Sequence, residues 1–196
     1  LAETAETDEE RAKELLRPVS RSIKKALGDM YYTTRENETM EEAVVRLLVK
    51  NKLTVTTVES CTGGMIASKI VNVAGASEVF NQGFVTYSNK AKRKMVGVGK
   101  NTLKKYGAVS EPTAREMAAG GAEEADAEAA VAVTGIAGPD GGTDEKPVGL
   151  VYIACCLNGD VTVEECHFHG SRTEIREQSA MEALDLLRRC ILKNCG

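Results

Sequence analysis

The chain has 196 residues, enough for one domain with a proper core and an appendage. Hydrophobic residues make up 42% and charged residues 28%, with 18 Gly and 4 Pro, the make-up of an ordinary soluble α/β protein. A formal net charge of −4 speaks against a broad nucleic-acid binder and leaves an anion only a local pocket of Lys, Arg and helix N-termini.

Residues 1–37 are highly charged and read as a helical N-terminal extension. Acidic side chains come first (Glu3, Glu6, Asp8, Glu9, Glu10) and basic ones later (Lys13, Arg17, Arg21, Lys24, Lys25). Leu15, Leu16, Val19, Ile23, Ala26 and Leu27 mark a helical stripe, interrupted near Pro18. Such a stripe suits docking on the body or on a partner subunit, and a homo-oligomer is expected. A disordered tail is the alternative.

The body is expected over residues 38–196. Thr39 and Glu42 form a capping box, in which hydroxyl and carboxylate each satisfy an orphan N–H of the helix start. Met40, Ala43, Val44, Leu47 and Leu48 then recur at helical spacing as far as Asn51. A strand follows over 54–58, a turn over 59–64 and a second helix over 65–73. Residues 83–88 read as a strand and 90–96 as a short basic helix. Ser110 caps a helix over 111–125 that tolerates Pro112 in its first turn. A buried strand over 129–133 runs into the glycine-rich stretch 134–142. Strands over 149–156 and 161–168 pair across Asn158-Gly159, a strong hairpin signal. Ser171 and Glu174 form a second capping box, opening a final helix with Ile175, Ala180, Leu184, Leu187 and Ile191 turned inward. This order predicts an α/β fold, a three-layer α/β/α sandwich on a mixed sheet with a C-terminal β-hairpin and terminal helix.

Six cysteines (Cys61, Cys155, Cys156, Cys166, Cys190 and Cys195) lack CxxC or zinc-finger spacing and fall in apolar runs. They read as reduced, mostly buried thiols of a cytoplasmic protein. No apolar run has transmembrane length and no signal-peptide core is present, so no membrane partner is expected. The chain starts at Leu1, which leaves a removed targeting segment open.

Three stretches could carry chemistry. In ESCTGG (59–64), a strand feeds a glycine-rich turn and then a helix, which puts the turn at the carboxyl end of the sheet, where open α/β folds bind ligands. The N–H groups of Cys61, Thr62 and Gly63 could hold a phosphate or an oxyanion; equally, Ser60 or Thr62 could merely cap the helix while Gly63 and Gly64 allow the turn. No GK[ST] follows and GxGxxG is not matched. In the second stretch, FVTYSNKAK (84–92), Tyr87 and Lys92 could reach Ser60 if the two strands are neighbours, giving a Ser-Lys pair; a solvated lysine is the plain alternative. The third, TGIAGPDGG (134–142), reads as a rigid binding loop containing Thr134, Gly135, Ile136, Ala137 and Gly138. His167, His169 and Glu165 alternate on one strand, which is a poor metal site, and no metal is expected. Arg172, at the start of the final helix, suits an anionic ligand.

Together TVTTVESCTGG (54–64), GFVTYSNKAK (83–92), GAVSEPTAREMA (107–118) and VTGIAGPDGGTDEKPVG (133–149) resemble the C-terminal domain of the CinA family, from about Thr39 to Leu192. The resemblance implies hydrolysis of nicotinamide mononucleotide to nicotinate mononucleotide and ammonia, with no cofactor. It gives Ser60 as nucleophile, Lys92 as general base and Tyr87 as an assisting residue. Glu59 would orient Lys92 or bond the substrate ribose, residues 134–142 would hold the nucleotide, and Arg172 would meet its phosphate. Larger family members carry an N-terminal molybdopterin-binding-like domain associated with pyrophosphatase activity; this chain lacks it, so that activity is not expected. The rivals are a non-catalytic nucleotide-binding module, with Ser60 and Lys92 too far apart for proton transfer, and a cysteine amidase using Cys61.

Overall fold

The computed structural model describes residues 8–195; Glu3, Glu6 and the side chain of Cys195 fall outside the described residues. Two compact units divide the chain between Asn37 and Glu38. In the first, α1 (Glu9–Leu27) is capped by Asp8, whose carboxylate accepts the Arg11 N–H at 2.9 Å. The helix continues through Pro18 instead of breaking there. An interior proline costs about 3 kcal/mol, and Glu9 and Glu10 in the first turn with Lys24 and Lys25 in the last complement the helix dipole.

The second unit runs α2 (Met40–Asn51), β1 (Val55–Glu59), α3 (Met65–Val71), β2 (Phe80–Val85), α4 (Asn89–Val96), α5 (Lys100–Tyr106), α6 (Glu111–Ala125), β3 (Ala129–Gly135), β4 (Leu150–Leu157), β5 (Asp160–His167) and α7 (Arg172–Cys195). Both expected capping boxes form: Glu42 N–H donates to Thr39 Oγ1 while Thr39 N–H donates to Glu42, and Ser171 and Glu174 do the same. The five strands lie in the order β2-β1-β3-β4-β5, with β2, β1 and β3 parallel and β3, β4 and β5 antiparallel. The mixed sheet, its C-terminal hairpin and the terminal helix are therefore as expected. α5 is an addition to the expected order, and β2 begins three residues earlier than the sequence suggests.

Each sheet face carries its own helices and core. One core combines Val44, Leu48, Ile66, Ile70, Leu184 and Leu187 from α2, α3 and α7 with Val131, Val133, Val151 and Ile153 from the sheet. The opposite core is smaller, with Ala114, Met117 and Ala118 of α6 on Val58, Ala130, Ala132 and Ala154. Alanine on the strands lets α6 lie close, and two glycines bring it closer. A Cβ on Gly121 would collide with the Val58 side chain, and one on Gly120 with the Val96 carbonyl of α4. Gly120 thus sets how near α4 sits, which positions what α4 carries. Among the described residues, no helix is long and apolar enough to cross a membrane.

Candidate active site

The chain leaves β1 for β2 on one side of the sheet and then crosses to β3 on the other, so β1 is the point where strand order reverses. Ligands of open α/β sheets bind outside the carboxyl ends of strands at such a point. Glu59 aligns with Val85 and with Val133, which sets Ser60, Thr86 and Thr134 side by side, one residue further along each strand. Two backbone bonds hold this row: Ser60 N–H to Val133 O at 3.0 Å and Thr86 N–H to Glu59 O at 2.7 Å.

Strand alternation decides what each side chain of ESCTGG meets. Val55, two pleats before Glu59, belongs to the α3 side, and Val58, two residues before Ser60, belongs to the α6 side. Glu59 accordingly turns to α3, where its carboxylate accepts the N–H groups of Gly64 (2.9 Å), Ile66 (3.1 Å) and Ala67 (2.9 Å). It is 1% exposed and serves as the cap of α3. This corrects both expected roles: the carboxylate is committed to three amides and has no hydrogen bond to Lys92 among the described residues. Gly63 and Gly64, at φ +61° and +100°, make the bend that brings those amides round.

Ser60 turns the other way and meets Lys92. Ser88 caps α4 by accepting the Ala91 N–H at 3.1 Å, and Lys92 follows one turn later. Its Nζ lies 2.8 Å from Ser60 Oγ and 2.7 Å from Thr86 O, and the residue is 1% exposed. Neither partner is charged. Burial therefore lowers the Lys92 ammonium from 10.5 to about 8, against a small opposing effect from the Cys61 thiol. The solvated-lysine alternative does not apply. The hydroxyls of Thr62 and Thr86, both fully buried, have no hydrogen-bond partner among the described residues.

The turn presents the N–H groups of Cys61, Thr62 and Gly63, none of which meets a backbone carbonyl among the described residues. Burial pushes the Cys61 thiol up to about 11, outweighing the lowering effect of the nearby Cys61 and Thr62 amides. Cys61 is thus a poor source of thiolate near neutral pH. A residue the sequence reading missed, Arg176, fixes the turn from α7: Nε donates to Cys61 O and Nη2 to Thr62 O, both at 2.9 Å. Its position four residues after Arg172, hence on the same helix face, was the available signal.

The remaining expected residues form the rim. Tyr87 is 65% exposed, and its hydroxyl takes a 3.3 Å bond from Arg172, with none to Ser60 or Lys92 among the described residues. Arg172 also donates to Gly138 O at 2.6 Å, bridging the β2–α4 connection to the glycine-rich loop. In that loop several groups are already committed. The Thr134 hydroxyl donates to Ala108 O at 2.8 Å, Ile136 exchanges backbone bonds with Leu150 and Gly149, and Gly135 pairs in register with Val151. Ala137 and Gly138 are buried. Thr134 and Ile136 thus serve the internal bracing of the loop. Among the described residues no group of three His, Cys, Asp or Glu is placed to hold a metal ion, and His167 instead contacts Glu165 at 2.9 Å.

A family model of the CinA C-terminal domain matches residues 37–191. The chain is 53% identical over 189 residues to a protein of Clostridium beijerinckii named as competence-damage inducible, covering 96% of this chain and 46% of that protein. It is 52% identical over 190 residues to a CinA-like protein of Kosmotoga olearia, with the same two coverages. The chain thus spans under half the length of these curated relatives. Among solved structures, a competence/damage inducible protein from Agrobacterium tumefaciens superposes with a TM-score of 0.73 at 45% identity, covering 81% of this chain and 99% of that one. A CinA superfamily protein from Klebsiella pneumoniae gives 0.76 at 33% identity, covering 80% and 99%.

Proposed function

The chain belongs to the CinA C-terminal domain family, and on that premise we propose that it hydrolyses the carboxamide of nicotinamide mononucleotide, with Ser60 as nucleophile and Lys92 as general base. The observation that carries this reading is the 2.8 Å contact between Ser60 Oγ and a buried Lys92 amine that has no charged partner among the described residues. Uncharged Lys92 takes the hydroxyl proton as Ser60 Oγ attacks the carboxamide carbon. The N–H groups of Cys61, Thr62 and Gly63, which meet no backbone carbonyl among the described residues, stabilise the oxyanion. Collapse of the tetrahedral intermediate expels ammonia, which takes its proton from Lys92. Water, activated by the same amine, then cleaves the acyl-enzyme, releasing nicotinate mononucleotide and Ser60. Tyr87 has no hydrogen-bonded path to Lys92 among the described residues, so the proton returns through the lysine, and Tyr87 with Arg172 borders the substrate.

The non-catalytic module requires hydroxyl and amine to be far apart, and the cysteine reading requires an accessible thiolate; the contact distance and the raised Cys61 thiol favour neither. Ammonia release from nicotinamide mononucleotide is the test. The wild-type protein should release it and Ser60→Ala should not. Binding without release in the wild type would support the module instead, and a near-wild-type rate in Ser60→Ala would move the nucleophile to Cys61.

A further inference from the structure

The net charge of −4 conceals a strong segregation. Of 25 basic and 29 acidic residues, seven basic and no acidic ones fall within residues 79–110, which leaves +7 there and −11 elsewhere. One of the seven, Lys92, is buried against Ser60. The other six, Lys90, Arg93 and Lys94 on α4 and Lys100, Lys104 and Lys105 on α5, are exposed. None of them forms an ion pair with an acidic side chain among the described residues. The Glu116 carboxylate, bonded to Gly99 N–H and the Thr102 hydroxyl, is the acidic group at the start of α5, and the remaining cations act together as a field.

This field lies at the site. α4 begins two residues after Tyr87 and delivers Lys92 to the nucleophile, so its exposed cations Lys90, Arg93 and Lys94 lie within two residues of the lysine that meets Ser60. α5 leads directly into the segment whose Ala108 carbonyl holds Thr134 at the carboxyl end of β3. The carbonyls of Tyr106 and Val109, in the same segment, accept from Lys146 Nζ at 2.8 and 2.6 Å, and Asp144 and Glu145 precede that lysine, so it adds no net positive charge to the field. A cluster of one sign beside a reactive site, on a body of the opposite sign, raises the local concentration of opposite charge about 10- to 1,000-fold at low ionic strength.

We propose that the face formed by α4 and α5 draws phosphate-bearing amides to Ser60 and rejects their uncharged or cationic counterparts, which makes it a determinant of substrate choice. The inference rests on the amidase reading above. Nicotinamide mononucleotide carries a pyridinium and a phosphate and is a net anion; the riboside keeps only the pyridinium and is a cation. The face attracts the first and repels the second. Salt screens both effects, since the Debye length shrinks to about 10 Å at 0.1 M.

The two substrates therefore respond to salt with opposite signs. Raising NaCl from 20 to 500 mM should lower kcat/KM for the mononucleotide about tenfold and leave the riboside unchanged or raised, with kcat for each steady within twofold. The combined variant Lys90→Glu, Arg93→Glu, Lys104→Glu and Lys105→Glu takes the local balance from +7 to −1. It should lose about tenfold in kcat/KM for the mononucleotide at low salt and gain for the riboside. Equal responses of both substrates, or an unaffected mononucleotide, would overturn the proposal. If neither amide releases ammonia at any salt, the amidase reading fails separately. Calorimetry of the mononucleotide on Ser60→Ala protein then decides the face: affinity that weakens with salt and with the four reversals upholds it, and salt-independent affinity sinks it. A single-stranded 20-mer of DNA binding the wild type at 150 mM NaCl, but not the reversed variant, would assign the face to polynucleotides and overturn it too.

Discussion

Glu59 and Lys92 lie at the same end of the sheet, both 1% exposed, yet the protein treats their charges in opposite ways. The Glu59 carboxylate receives three backbone N–H bonds and is fully compensated where it lies. The Lys92 amine receives a hydroxyl and a carbonyl, with no counter-charge, and its ammonium is pulled down to about 8. A buried charge that is fully satisfied holds a structure in place; one that is left short of partners is ready to give up or take a proton. The alternation of one strand separates the two roles, sending residue 59 to α3 and the lysine's partner, residue 60, to α4.

That contrast can be broken from either side. The largest effect should come from the reactive half. Ser60→Ala and Lys92→Arg should each lower kcat for ammonia release by about 1,000-fold or more, the arginine because a guanidinium does not deprotonate in proteins. Circular dichroism should show both variants folded, since the backbone bonds of Ser60 and Thr86 that join the strand ends are kept. Next comes the scaffold half. Glu59→Ala strands three amide donors beneath α3 and should cost on the order of 2–4 kcal/mol in urea unfolding. Glu59→Gln keeps an acceptor oxygen and should cost less than half as much. The smallest effect sharpens the comparison most. Lys92→Met should stabilise the protein at pH 7 by about 1–2 kcal/mol, because it removes a buried, uncompensated ammonium. The unfolded lysine keeps its proton to about 10.5, while the native one loses it above about 8. Between those values the unfolded state binds more protons, so the wild type gains stability as pH rises. The advantage of Lys92→Met should therefore shrink over that window, and a gap that stays constant would contradict the native-state shift.

Much of this was legible in the sequence because it depends on local rules. The capping boxes at Thr39 and Ser171, the Asn158-Gly159 hairpin and the apolar periods of α2 and α7 are each set by residues a few positions apart. The Ser60–Lys92 contact was legible only conditionally, since it needs β1 and β2 to be neighbours, and adjacency of strands is a tertiary fact. The start of β2 escaped because Asn81, Gln82 and Gly83 lie exposed on an edge strand and show no apolar alternation. α5 escaped because seven residues with one buried side chain, Leu103, carry too little period to detect. Glu59 was misread for a different reason. Its neighbours in sequence suggest chemistry, but only the turn geometry reveals three amides waiting beneath it. Arg176 lies 114 residues from Thr62, and its spacing from Arg172 signalled only a shared helix face, not the turn it holds.

The central claim is that an uncharged Lys92 starts the reaction, and the pH dependence of kcat/KM for ammonia release from nicotinamide mononucleotide tests it most directly. The rate should climb with unit slope from the acid side, bend near pH 8 and level off above it. A profile that is flat from pH 6 to 10, or one that falls across pH 8, would contradict lysine as the base.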